Sequence, residues 1–197
     1  MKDHASSFRL GRILVAVFAA GLVSGWGRSL SVRIGDQVDF HVPASLLLPL
    51  AAACIITGAV IDPVGPMGAT SVRPLRRLAA ARVASCTLAF AVGLALGLAA
   101  IGAPAADLGV AMRNAGLLLG LSLAAVSVID LALAWLPSCA YTIICMVAGV
   151  GSDGTRVPWA VLLEQDAQAT APWIVSGGVL AVGASSVSTR LRRLQAR

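Results

Sequence analysis

The chain has 197 residues, of which 58% are hydrophobic and 12% charged, with a mean hydropathy of +0.87. A water-soluble domain carries roughly 25% charged residues, so these values exclude an ordinary soluble fold and point to an all-α, polytopic membrane helix bundle. The formal charge of +6 is almost wholly arginine, and Lys2 is the one lysine. The arginines gather at the ends of apolar runs and not on a polar face, which argues against nucleic acid as a partner and for anionic lipid headgroups.

At about 20 residues per span, six spans use most of the length. A single transmembrane domain over 1–197 is therefore expected. Span 1 is placed at 11–26, after Lys2, Arg9 and Arg12, with Trp26 at the level of an aromatic belt. The basic start also fits a cleaved leader; an uncleaved span is preferred because the apolar run continues to Trp26. The polar stretch 28–41 alternates enough for an extended excursion. Span 2 is placed at 42–61. Pro43 suits its first turn, Pro49 is expected to kink it, and Asp62-Pro63 ends it.

A Gly/Pro loop then leads into the most basic stretch of the chain, SVRPLRRLAAARV. Arg73, Arg76, Arg77 and Arg82 lie there between two long apolar runs, and Leu75 and Leu78 share one face with Arg82. Segment 72–82 is thus read as a short amphipathic helix at the membrane surface. Span 3 follows at 80–101, and Gly102–Asp107 is a turn. Asp107 and Asp130 are separated by about 34 Å of helix, one membrane thickness, so span 4 is placed at 108–129. Span 5 is placed at 131–150, with Pro137 as a kink. The sequence VPWAVLLEQ reads as a short interfacial helix, and span 6 is placed at 172–187.

With the N-terminus inside, eleven basic residues fall on the inner face: Lys2, Arg9, Arg12, Arg73, Arg76, Arg77, Arg82, Arg190, Arg192, Arg193 and Arg197. Three fall outside, namely Arg28, Arg33 and Arg156, while Arg113 lies within span 4. This bias predicts an integral plasma-membrane (inner-membrane) protein with both termini cytoplasmic.

Catalytic signatures are missing. A P-loop needs a lysine after its glycines, and GxSxG and HExxH do not occur. No enzyme activity, catalytic residue or metal site is expected. Cys54, Cys86, Cys139 and Cys145 lie in apolar runs without a CxxC pair, and read as small buried hydrophobes. Asp62, Asp107 and Asp130 read as solvated caps at span ends. Arg113-Asn114 is the unusual pair. It either snorkels to the outer interface or faces the bundle as part of a substrate path. Gly93/Gly97 and Gly116/Gly120 are small-xxx-small motifs on neighbouring spans and are expected to pack helices closely.

This layout resembles the small six-helix permease subunits of type-2-class ATP-binding-cassette exporters. The text Arg113-Asn114-Ala115-Gly116-Leu117, followed by Leu133-Ala134-Trp135-Leu136-Pro137, is similar to compact permeases of actinobacterial type. The resemblance implies that 72–82 is the coupling helix, with Arg73, Leu75, Arg76, Arg77, Leu78 and Arg82 gripping a cytoplasmic ATP-binding subunit. It also implies that 159–171 is the external piece before span 6. ATP and magnesium would then bind the partner chain and no cofactor this one, and a second permease protomer would complete a homo- or heterodimer among membrane lipids. The expected cargo is hydrophobic or amphipathic. Two other readings stay open on the residues alone. One is a non-transporting assembly, immunity or anchoring subunit. The other is an ion-coupled carrier using Asp62, Asp130 or Arg113.

Overall fold

The structure, a computed structural model, describes residues 2–27, 31–33, 41–61, 75–130, 133–150 and 155–195. Among the described residues, six α-helices carry the fold: α1 (Lys2–Trp26), α2 (Ala44–Ile61), α3 (Leu75–Ala100), α4 (Ala105–Ala125), α5 (Leu136–Ala148) and α6 (Thr170–Gln195). Two three-residue strands, β1 (Ser31–Arg33) and β2 (His41–Pro43), pair antiparallel between α1 and α2, with Val32 opposite Val42. The excursion expected at 28–41 is thus extended at both described ends. Among the described residues, three helices are long and apolar enough to cross a membrane: Ala79–Ala100, Ala105–Ala125 and Thr170–Thr189. Leu10–Trp26, Pro49–Gly58 and Leu136–Ala148 are shorter apolar helices. The fold is that of a helical membrane protein.

Glycine sets the closest approach. A Cβ built on Gly21 would lie 2.3 Å from the Phe90 carbonyl oxygen, and one on Gly93 would lie 2.2 Å from that of Phe18. One turn on, Gly97 faces the Leu22 carbonyl at 2.3 Å and Gly25 faces that of Leu94 at 2.6 Å. No side chain fits there, so α1 and α3 meet backbone to backbone, the geometry that small-xxx-small motifs permit. Residue numbers rise together along this contact, so the two helices are parallel. The same holds for α4 and α6. Gly109 lies near Trp173, and a Cβ on Gly120 would come within 2.7 Å of Leu180 backbone atoms. Gly183 completes the contact, 2.4 Å from the Gly120 carbonyl by the same measure.

The turn between α3 and α4 is tight. Gly102 has φ +64, and its neighbours donate back into α3, Gly102 N–H to Ala99 O at 3.1 Å and Ala103 N–H to Leu98 O at 3.0 Å. This double closure is a Schellman cap with glycine at the left-handed position. Pro104 stands at the N-cap with extended backbone, and α4 follows from Ala105. So short a connection returns α4 antiparallel to α3. Among the described residues, Phe90, Leu94, Leu118 and Leu123 are the largest fully buried apolar side chains of the core.

Three expectations need adjusting. Basic segment and span 3 form one unbroken helix from Leu75, without a separate amphipathic helix among the described residues; Arg73 lies outside them. Pro137 does not kink a long span: it sits in the first turn of α5, where its missing N–H costs nothing, and so α5 begins at Leu136. VPWAVLLEQ forms a single 3-10 turn, Val161–Leu163, in place of an interfacial helix, and Ala160, Val161 and Leu162 are buried.

Candidate functional site

The site is built where that 3-10 turn enters the bundle. Arg113 stands two turns into α4 and is 1% exposed; Asn114 beside it is 4% exposed. A guanidinium this far from water must be satisfied by protein groups, because an unpaired buried charge is very costly. The 3-10 turn and the residues that follow it supply them, through the carbonyls of Val161, Glu164 and Asp166. Arg113 Nη1 donates to Asp166 O at 3.2 Å and Nη2 to Val161 O at 3.5 Å. Nη2 also donates to Glu164 O. Nε and Nη2 both donate to Asn114 Oδ1 at 3.3 Å, and Asn114 Nδ2 donates to Leu162 O at 3.1 Å. The planar five-donor fork of arginine suits this arc of acceptors, which a lysine ammonium could not cover.

The carboxylates of Glu164 and Asp166 act as counter-charges to the guanidinium. They are in turn held in place. Glu164 Oε1 accepts from Asp166 N–H at 2.9 Å and pairs with Arg156 Nη1 at 3.5 Å, and Asp166 Oδ1 accepts from Gln168 N–H at 2.8 Å. The segment 155–169 is therefore a strap with its charged side chains at the surface and its backbone turned onto α4. Further ties hold its flanks. Val157 N–H donates to Gly149 O at 3.0 Å, Tyr141 Oη to Trp159 O at 2.7 Å, and Trp173 Nε1 to Ala167 O at 3.0 Å. The non-helical backbone at Ala160, Val161 and Leu162 is tolerated in the interior because its carbonyls have donors.

A second polar contact lies deeper. Ser138 Oγ on α5 donates to Leu118 O on α4 at 2.7 Å and lies 2.8 Å from Ser122 Oγ. Thr142 Oγ1 donates to Ser138 O at 2.8 Å. Ser122, Ser138 and Thr142 are buried; the Ser138 and Ser122 hydroxyls bind α5 to α4, while that of Thr142 is satisfied within α5.

Of the residues singled out in the sequence, Arg113 and Asn114 come together with the strap. Gly93, Gly97 and Gly120 stand at backbone contacts. Gly116 does not, since a Cβ there would meet only Leu180 Cδ2, at 4.0 Å. The two glycine motifs do not pair with each other; each faces a different helix. Leu75, Arg76, Arg77 and Leu78 occupy the first turn of α3 and Arg82 lies half-buried two turns on. This group is far along the chain from Arg113 and at the opposite end of α3 from the turn that starts α4. Asp107 is in the first turn of α4 and Asp130 is exposed beyond its end, while Asp62 is outside the described residues.

Sequence reasoning missed Gly21, Gly25 and Gly183. The first two form the motif Gly21-Leu-Val-Ser-Gly25 and were open to the same rule that found Gly93 and Gly97. The strap carbonyls carry no sequence signal, because every residue has one. Among the described residues, no group of His, Cys, Asp or Glu has the makings of a metal site. No family model, curated protein or solved structure matches the chain.

Proposed function

We propose that the chain is the transmembrane permease subunit of a type-2-class ATP-binding-cassette exporter, moving a hydrophobic or amphipathic substrate with energy from a separate cytoplasmic ATP-binding subunit. The observation that carries this reading is the continuity of α3. Arg76, Arg77 and Arg82 occupy the start of the same helix that, further on, meets α1 at Gly93 and Gly97. A displacement at the basic end passes along about 27–33 Å of rigid helix into the close contact with α1. The parallel pairs support six crossings: α1 and α3 run the same way only if the chain returns between them, as do α4 and α6. The charge bias then puts both termini and the basic end of α3 in the cytoplasm and the strap outside. In that arrangement the exposed Trp26, Trp159 and Trp173 would stand at the outer level and Trp135 at the inner one, as aromatic belts require.

One observation favours a second reading, a membrane partner that does not transport. The donors of Arg113 and Asn114 described above go to the chain's own atoms, which suits a structural clamp. Purification in mild detergent with mass spectrometry separates the two. The permease reading expects an ATPase to co-purify, and expects Leu75→Asp with Leu78→Asp to abolish its binding while the arginines still direct insertion. An inserted double variant that retains the ATPase overturns the coupling role, and a parent chain that brings down no ATPase overturns the permease reading.

A further inference from the structure

We propose that Cys54 on α2 and Cys139 on α5 are a paired thiol site that closes reversibly into a disulfide and so fastens α5 to α2. All four cysteines are free thiols, but they are not alike. Cys86 and Cys145 have no exposed surface, as small buried hydrophobes do, and Cys145 hydrogen-bonds Tyr141 of its own helix. Cys54 and Cys139 are only half-buried. Their thiols hydrogen-bond each other where α2 meets α5. Helices α3 and α4 lie between them in the chain, so the fold makes this pair and no local pattern announces it.

A disulfide needs Cα atoms about 4.4–6.8 Å apart and side chains that point at each other. Thiols in hydrogen-bonding contact have that direction, and the sulfurs need only a short closing movement to bond. The backbone around them is braced. Ser138, next to Cys139, donates to Leu118 O on α4 at 2.7 Å. Ala53, next to Cys54, is buried, and α2 packs on α1, α3 and α4. The co-reactant is a small disulfide, R–S–S–R. One cysteine sulfur attacks it and loses its proton, and the departing sulfur leaves as R–SH with a mixed disulfide left on the protein. The other cysteine attacks that mixed disulfide at the protein sulfur and loses its proton in turn, and a second R–SH departs. The cysteine pair is oxidised by two electrons and the small disulfide is reduced to two thiols. Because the reacting groups are held together, the second step outruns attack by another molecule. Reactants and products are uncharged, so apolar surroundings favour neither side. Where thiols are kept reduced the pair rests open, and a rise in oxidised disulfides closes it. The consequence falls on α5, the shortest of the described α-helices at 13 residues, with Ile143, Ile144 and Val147 exposed. It is tied to α4 through Ser138 and to the strap through Tyr141, and the link adds α2 as a third attachment at its first turn.

The site does not depend on the transport reading, and its test needs neither substrate nor ATPase. The full chain in lipid nanodiscs is treated with dipyridyl disulfide, an uncharged reagent that enters apolar regions and releases a coloured thione. The product is digested and mapped by mass spectrometry. The parent should release two thiones per chain, keep no pyridyl group, and yield a linked peptide joining Cys54 to Cys139, with Cys86 and Cys145 unmodified. Cys54→Ser should release one thione and keep a pyridyl group on Cys139, and Cys139→Ser the reverse. Alanine replaces serine where the folded yield falls, and the linked peptide of the parent needs no variant at all. Dithiothreitol should restore the free pair, and the oxidised chain should stay monodisperse to a higher heating step than the reduced one. Pyridyl groups retained on both cysteines of the parent, a link to Cys86 or Cys145, no reaction at either position, or equal heat resistance of the two forms overturns the proposal.

Discussion

Alanine placed at glycine in this bundle should change stability in opposite directions at different sites, and the structure says which. At Gly97 the new Cβ would lie 2.3 Å from the Leu22 carbonyl oxygen, 3.0 Å from Gly25 Cα and 3.0 Å from Trp26 N. An ordinary C···O contact is about 3.3 Å or longer, so α1 and α3 must separate by roughly 1 Å along that line. All three obstructing atoms are backbone, and no side chain can swing aside. Overpacking of this kind costs about 1–3 kcal/mol. Against it stands a gain of roughly 0.5–1 kcal/mol for replacing glycine by alanine inside a helix. The net sign at Gly97 is destabilising. At Gly58, Gly177 and Gly178 a Cβ meets nothing within 4 Å, so only the gain remains and these variants should be neutral to slightly more stable. Gly25→Ala combined with Gly97→Ala should cost less than the two singly, since one separation relieves both clashes. The assay is resistance to unfolding in detergent, followed by monodisperse elution after stepwise heating. If Gly97→Ala survives as well as Gly178→Ala, the backbone contact between α1 and α3 is wrong.

Further outcomes follow from the other contacts. Gly120→Ala should destabilise through the Leu180 backbone while Gly116→Ala is tolerated, a contrast within one motif that the same heating series reads. Arg113→Met leaves the Glu164 and Asp166 carbonyls without the guanidinium donor, at about 1–3 kcal/mol for each that stays buried; Leu162→Cys, buried in the parent, should then become reactive to a membrane-impermeant maleimide, and unchanged protection would refute the clamp. Ser138→Ala removes an interhelical hydroxyl bond of a kind that averages about 0.6 kcal/mol in membranes, so its unfolding midpoint should fall less than that of Gly97→Ala. Cysteines at Ser71 and Gln165 should label from opposite sides of sealed vesicles, and labelling from one side would defeat the six-crossing arrangement.

Helical class and membrane character were legible from apolar run length, because the bilayer fixes the length that a span needs. The close contact at Gly93 and Gly97 was legible for a similar reason, as a local pattern with one physical use. What each glycine faces was not, since partner choice depends on how helices are arranged and not on spacing within one of them. Gly116 and Gly120 share a motif, yet only Gly120 points at a backbone. Pro137 misled because proline has two roles in helices, kinking an interior or opening a first turn, and periodicity alone does not choose between them. Arg113 was conspicuous as an arginine inside an apolar run. Its partners were not, since they are main-chain oxygens some fifty positions away.

Because Arg113 and Asn114 hydrogen-bond the strap through its main-chain oxygens, the side chains of the strap matter to the grip chiefly at Glu164 and Asp166, whose carboxylates balance the guanidinium. Substitution can therefore proceed along the other outward-facing positions of 161–166 without loosening the grip, provided that the local backbone path is kept. Under drift, or under selection by whatever the outer surface meets, those positions are free to diversify, while the two gripping residues on α4 are not. Two chains descended from this one would then differ most in the strap and least beneath it, so a deep mutational scan should find tolerance at Gln165 immediately above intolerance at Arg113.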